Sequence, residues 1–353
     1  MDAPLRLAVI GLGYWGKNVA RSFAAAARAR LEVLCDADPA RLAAQRKLYP
    51  QARAVQHWHE VLADPAIDAV AIVTPAPAHH AMVREALLAG KHVFVEKPLT
   101  LTSAHAEELV ELAEHTGRKL MVGHVFEFHP AVEYMKEQID SGLLGDIHYM
   151  YCQRLNLGIV RSEENAFWSL APHDVSMILR LFGGEPCEVA AHGAAFLQPG
   201  IEDVVFSTLR FADGRAAHIH VSWLDPHKER RVVVVGSRRM LVFDDMQPAE
   251  KIRVFDKGVE AAAEPPIGMP AINVRHGDIH IPHISGAAPL DLETQHFVDA
   301  VLDDFIPRSD GRSGLRVVRV LEEAARQLEA ARGECGREPE GDVKETRDHH
   351  VRR

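Results

Sequence analysis

Leu5-Arg6-Leu7-Ala8-Val9-Ile10-Gly11-Leu12-Gly13-Tyr14-Trp15-Gly16 is the stretch that decides the fold. A short apolar run without alternation reads as a strand buried on both faces, and it leads directly into Gly-x-Gly-x-x-Gly. Residues 16–29 then read as a helix with Val19, Phe23 and Ala26 on one side. Asp36 stands 36 − 16 = 20 positions beyond the last glycine, at the end of a second strand spanning 31–35. Strand, glycine turn, helix and a carboxylate at that distance form the pattern of a dinucleotide site. Gly11 allows the tight turn, Gly13 leaves room for a pyrophosphate, and Gly16 lets helix and strand pack closely. The helix start offers free N–H groups and the positive end of its dipole. Asp36 is placed to accept hydrogen bonds from ribose hydroxyls and to repel a 2′-phosphate, which favours NAD over NADP. Arg41 nearby works against that preference. The competing reading is a glycine turn that binds nothing, with Asp36 as a helix cap, although Asp38 fits that role as well.

Working outward, strand and helix alternate. Helices are expected at 40–48, 79–89 and 103–116, and strands at 68–73, 92–95 and 119–122. This is the pattern of an α/β, doubly wound parallel sheet, a Rossmann domain over residues 1–122. After residue 123 the period changes. A helix at 130–141 precedes alternating segments at 147–154, 204–211, 216–223, 231–235 and 240–243, separated by turns such as Asp213-Gly214 and Gly236-Ser237. With a helix at 175–182 and closing helices at 292–302 and 315–331, residues 123–332 read as an α+β domain with a large, mostly antiparallel open sheet. Residues 333–353 are polar and charged and read as a disordered tail.

Composition excludes several classes. A net charge of −10 argues against nucleic acid, so an anionic ligand needs a local cationic site. No run approaches the length of a membrane helix, and no signal peptide is evident at Met1-Asp2-Ala3. The four cysteines form no CxxC pair, which fits a reducing cytoplasm and no metal site. Among 21 histidines the densest group, His276, His280 and His283, surrounds Gly277 and Pro282 and reads as a loop.

Glu96-Lys97-Pro98 closes the strand at 92–95. Ligands of open α/β sheets bind beyond the carboxyl ends of the strands, so Lys97 is placed to meet a substrate hydroxyl; a surface lysine is the alternative. His173 follows Pro172 at the start of a helix, where the dipole disfavours imidazolium and leaves a neutral base. Its alternative is a solvent-facing histidine.

Gly11-Leu12-Gly13-Tyr14-Trp15-Gly16, Thr74-Pro75 with His79, Glu96-Lys97-Pro98 and Asn165-Ala166-Phe167-Trp168-Ser169-Leu170-Ala171-Pro172-His173-Asp174 together resemble the Gfo/Idh/MocA oxidoreductase family over roughly residues 5–330. The resemblance implies cofactor contacts from Tyr14, Trp15, Thr74, Pro75, His79, Glu96 and Lys97, and catalytic roles for Lys97 and His173. It also implies a substrate wall including Asn165, Trp168 and Ser169, and homo-oligomers formed through the open sheet. Many members carry Asp four residues before the histidine; Ser169 stands there. Leu157-Gly158-Ile159-Val160-Arg161 and residues 222–230 resemble a subgroup acting on nucleotide sugars. Arg154, Arg161, Lys228 and Arg230 would then hold a diphosphate, or else form a solvated charge set. The implied reaction is oxidation of the C3 hydroxyl of a UDP-sugar, UDP-N-acetylglucosamine, to its 3-keto form. A pyridoxal-phosphate aminotransferase would follow, as in lipid A and lipopolysaccharide biosynthesis. Alternatives are the corresponding uronate, an inositol or free sugar, or a non-catalytic NAD-binding regulator.

Overall fold

The computed structural model describes residues 3–261 and 272–335. The first half is built from β1 (Leu5–Ile10), α1 (Gly16–Ala25), β2 (Ala29–Cys35), α2 (Pro39–Leu48), β3 (Arg53–Val55), α3 (Trp58–Leu62), β4 (Ala69–Ile72), α4 (His79–Leu88), β5 (His92–Glu96), α5 (Ser103–Thr116) and β6 (Leu120–Gly123). Its six strands lie in the order β3-β2-β1-β4-β5-β6, all parallel. The order reverses direction between β1 and β4, and ligands of such sheets bind in the crevice at that switch point. Alternate residues of β1 serve opposite faces. Leu5, Leu7 and Val9 join one apolar cluster with Phe23, while Ala8 and Ile10 join the other. Asp38 caps α2 by accepting from the Ala40 N–H at 2.8 Å, which leaves Asp36 free of that task.

The second half contains α6 (Pro130–Asp140), β7 (Ile147–Leu157), α7 (Ala166–Leu170), α8 (Pro172–Phe182), β8 (Glu188–Ala194), β9 (Val204–Arg210), β10 (Ala216–Ser222), β11 (Leu224–Gly236), β12 (Met240–Asp244), β13 (Ile252–Ala261), β14 (Ile272–His280), α9 (Pro289–Leu302) and α10 (Gly311–Cys335). Eight strands form one sheet, β14-β13-β12-β11-β7-β10-β9-β8, antiparallel except where β7 meets β10. One face buries Met150, Cys152, Ile219 and Val234 beneath α6, α8 and α10. The opposite face leaves Tyr149 and Phe206 exposed.

Several elements differ from the sequence reading. The stretch read as a histidine loop is mostly strand: His276 and His280 lie on β14. Gly277 makes no turn there. A Cβ at Gly277 would stand 2.7 Å from the Asp256 carbonyl oxygen, so this glycine permits close approach to β13. β3, β8, β13, β14, α3 and α7 were not anticipated, and α10 runs past the expected start of the tail at residue 333. The remainder of that tail, 336–353, lies outside the described residues. The closing helices also bridge the halves. Phe297 of α9 packs edge-on against Phe23 and Phe94, with centroids 6.0 and 5.9 Å away, and α10 gives Leu315 to the parallel sheet's core and Leu321 to the other. Each buried phenylalanine contributes roughly 1.5–3 kcal/mol, so the junction is firmly packed. No described helix is long and apolar enough to cross a membrane.

Candidate active site

The ends of β1, β4, β5 and β6 open on a cleft of about 880 Å³ between the halves. Its walls include Tyr14, Trp15, Thr74, Pro75, Glu96 and Lys97 from the first half. The second half supplies Phe126, Arg154, Arg161, Ser169, His173 and Arg230.

The three glycines of the first turn have distinct duties. Gly11 has φ +94°, and a Cβ there would lie 2.5 Å from the Val73 carbonyl oxygen; a Cβ on Gly16 would collide with the Gly11 carbonyl. Both are required by the protein's own packing. A Cβ on Gly13 would meet only the Arg41 side chain, at 3.9 Å. The backbone is thus open at Gly13, which leaves the start of α1 accessible to an anionic group. Asp36 accepts from the Leu12 N–H at 2.6 Å and the Asp38 N–H at 2.9 Å. Those bonds fix the carboxylate beside the turn, with Arg41 Nη1 3.9 Å from it.

Glu96 and Lys97 end β5 at the cleft floor. Trp15 Nε1 donates to Glu96 Oε1 at 2.6 Å, tying the glycine turn to β5. Desolvation pushes the Glu96 carboxyl up to about 7 against the pull of the Trp15 bond. Lys97 Nζ donates to the Ser169 carbonyl at 3.1 Å, leaving two of its three N–H groups for a ligand. Desolvation lowers its pKa, opposed by Glu164 and Glu96. His173 begins α8. Its Nδ1 is buried without a partner, and its pKa lies well below the usual value through desolvation and then the charge of Lys97 and Arg154. The ring is therefore a neutral base at pH 7. Phe126 flanks it at 5.2 Å and Arg154 lies over Phe126 at 4.5 Å.

The structure sorts the remaining candidates. Arg154 lines the cleft, but its fork is held by Asp174 at 2.8 and 3.0 Å in a buried pair, so its main duty is to hold that wall. Arg161 pairs with Glu164 at 3.1 Å, and Arg230 stands 3.6 Å from Asp245; both line the cleft. Lys228 is exposed on β11 and is not on the cleft wall. Asn165 does not reach the cleft either. It caps α7 by accepting from the Trp168 N–H at 3.1 Å and donates to Glu202 at 2.8 Å. Trp168 packs against the cores of both halves. His79 is buried behind the wall. Its ring nitrogens lie 2.8 Å from the Pro98 and Thr74 carbonyls, joining the turns after β4 and β5. A neutral ring donates to only one of them at a time. Sequence reasoning missed His124, which follows β6 and is fully buried with both ring nitrogens unpartnered. The strand-end rule that found Lys97 would have found it.

A Rossmann sheet with this glycine turn, joined to a lysine and a neutral histidine across a cleft, defines an NAD-dependent oxidoreductase. Residues 5–124 match the Gfo/Idh/MocA oxidoreductase family's NAD-binding Rossmann fold, and residues 132–242 match that family's C-terminal domain. The chain belongs to this family. It is 30% identical over 256 residues to scyllo-inositol 2-dehydrogenase (NAD(+)) of Bacillus subtilis, covering 67% of this chain and 73% of that protein. It is 28% identical over 315 residues to UDP-N-acetylglucosamine 3-dehydrogenase of Acidithiobacillus ferrooxidans, covering 89% and 94%. The solved structure of the latter superposes with a TM-score of 0.76 at 26% identity, over 94% of this chain and 99% of that one.

Proposed function

We propose that this sugar or polyol dehydrogenase oxidises the C3 hydroxyl of UDP-N-acetylglucosamine to the 3-keto sugar. The observation that carries the chemistry is that Lys97 and His173 line the same cleft. The nucleotide-sugar reading is supported by Arg161 and Arg230 on the same wall, and by a likeness to the A. ferrooxidans enzyme that spans most of both chains. In this reading His173 takes the hydroxyl proton, since burial keeps its ring neutral. Lys97, held by the Ser169 carbonyl, donates to the same oxygen and stabilises the developing negative charge. Gly13 and the start of α1 hold the pyrophosphate, and Asp36 the adenosine ribose. Bound NAD supplies the hydride acceptor. The acceptor at Ser169 is the backbone carbonyl, which is present whatever side chain stands at that position.

The 3-keto product would pass to a pyridoxal-phosphate aminotransferase, and the open face bearing Tyr149 and Phe206 would pair copies of the chain. The test is NADH absorbance over a panel of UDP-sugars, free sugars and inositols, with 2-oxoglutarate added in case NADH is recycled in place. UDP-N-acetylglucosamine is expected to give the highest kcat/KM. An inositol or free sugar as best substrate overturns the assignment, a uronate moves it to the acidic sugar, and no turnover with any favours a regulator.

A further inference from the structure

Oxidising an alcohol with NAD yields one proton per hydride, and the base must return that proton to water. With substrate and cofactor in the cleft, His173 is screened on that side. Among the described residues, the buried side-chain nitrogens and oxygens without a hydrogen-bond partner fall on Gln45 and on six others: His124, Glu127, His173, Arg180, Glu293 and Arg316. Interiors leave few such atoms, and internal water collects where they gather.

These six are linked electrostatically in two sets, His173 with His124, and Glu127 with Arg180, Arg316 and Glu293. Glu96 pairs with Gly123 in the β5–β6 register, which sets His124 beside Lys97. Residues 125–128 form a 3₁₀ turn, and the Glu127 N–H donates to the His124 carbonyl at 2.9 Å. His124 caps that turn and Glu127 lies within it, so the two stand three residues apart on one tight segment. Glu127 lies in the field of Arg180, Arg308 and Arg316, and Glu293 in that of Glu96 and Glu127. Arg308 donates to the Glu127 carbonyl at 3.0 Å; Arg308 and Arg180 both hold Glu133 at 2.8 Å, and the Glu133 side chain is 40% exposed. Electrostatic interactions and hydrogen bonds therefore form a seam that links the base, which lies in the field of His124, to the part-exposed Glu133.

We propose that the proton taken by His173 leaves along this seam, through internal water to His124, on to the Glu127 carboxyl, and out beside Glu133 between Arg180 and Arg308. Each hop breaks one N–H or O–H bond and forms the next, and no electrons move. A neutral imidazole accepts at one nitrogen while releasing from the other, and a protonated carboxyl does the same with its two oxygens. Burial suits both groups to this, holding His124 down at about 3 and pushing Glu127 up to about 8. The charges facing the seam are Lys97, Arg180, Arg308 and Arg316, with Asp310, Glu96 and Glu293 opposing them. His124 and Glu127 act through His173 and are positioning residues.

This inference rests on the dehydrogenase reading, whichever sugar the panel selects. Stopped-flow absorbance would follow NADH and a pH indicator together in weak buffer, in the parent, Glu127→Gln and His124→Asn. In the parent the proton is expected to appear with NADH. In each variant first-turnover NADH stays within about twofold while proton release slows at least about fivefold, and Glu127→Asp recovers part of it. Proton release in step with NADH in both variants overturns the proposal. Infrared spectra of the resting enzyme at pH 7 need no substrate: a protonated-carboxyl band lost in Glu127→Gln is expected, and its absence from the parent also overturns it. Failure of every substrate would defeat the functional reading and leave the infrared test standing.

Discussion

At the cofactor end of the cleft, a dozen contiguous residues and one aspartate supply nearly everything: a strand, a turn that only glycine fits at Gly11 and Gly16, a bare backbone at Gly13, and Asp36 pinned by two backbone N–H groups. At the sugar end the wall is gathered from β7, the segment after it, α8 and β11, which an eight-stranded sheet holds together. The first end is specified by local geometry and tolerates few changes. The second is specified by tertiary placement, and residues adjacent in sequence have unlike duties. Arg230 lines the cleft while Lys228, two positions away on the same strand, does not.

The largest test of this contrast is at the point where the ends meet. Lys97→Ala and His173→Ala are each expected to lower turnover at least about 100-fold with NADH affinity unchanged, measured by steady-state absorbance and fluorescence titration. Loss of NADH binding instead would move both residues to the cofactor end. Next come the glycines. Gly13→Val should weaken NADH binding about tenfold or more with little change in Tm, because its Cβ meets only the Arg41 side chain at 3.9 Å, whereas Gly16→Val should lower Tm by disrupting the turn itself. Equal effects at both positions would break the distinction.

A further test is pH. The Glu96 carboxyl titrates at about 7 in the folded chain, above its ordinary 4.5, so the native state binds more protons than the unfolded one. Its contribution to stability is fully present below about 4.5 and is lost as pH rises through 7. Glu96→Gln should flatten the fall of Tm across that window. The smallest effects belong to the sugar wall. Arg161→Ala and Arg230→Ala should raise the substrate KM roughly tenfold, and Lys228→Ala less than about twofold. A KM change at Lys228 equal to that at Arg230 would erase the contrast between neighbours.

The same division explains what could be read in advance. Five strands of the parallel sheet were legible because buried strands and glycine turns leave local signatures, as at 5–16; the three-residue edge strand β3 and the short α3 were too brief to leave one. β13 and β14 were not legible: Gly277 looks like a turn residue until β13 is seen close against it, and Gly258 of β13 lies close to the Ser237 and Arg238 carbonyls between β11 and β12. Lys97 was legible because it ends a strand. The family resemblance implied Asn165 and Trp168 as substrate contacts, yet a short helix makes one a cap and packs the other between the halves. His124 carried no motif; its place just after β6 was the one sequence signal, and its lack of partners in the fold singles it out.

The central claim is that Lys97 and His173 direct hydride loss from C3 of a UDP-sugar. UDP-N-acetylglucosamine bearing deuterium at C3, incubated with the enzyme and NAD, tests it most directly by mass spectrometry of the reduced cofactor. The account predicts that the NADH formed carries the deuterium. Unlabelled NADH formed from that substrate would contradict it.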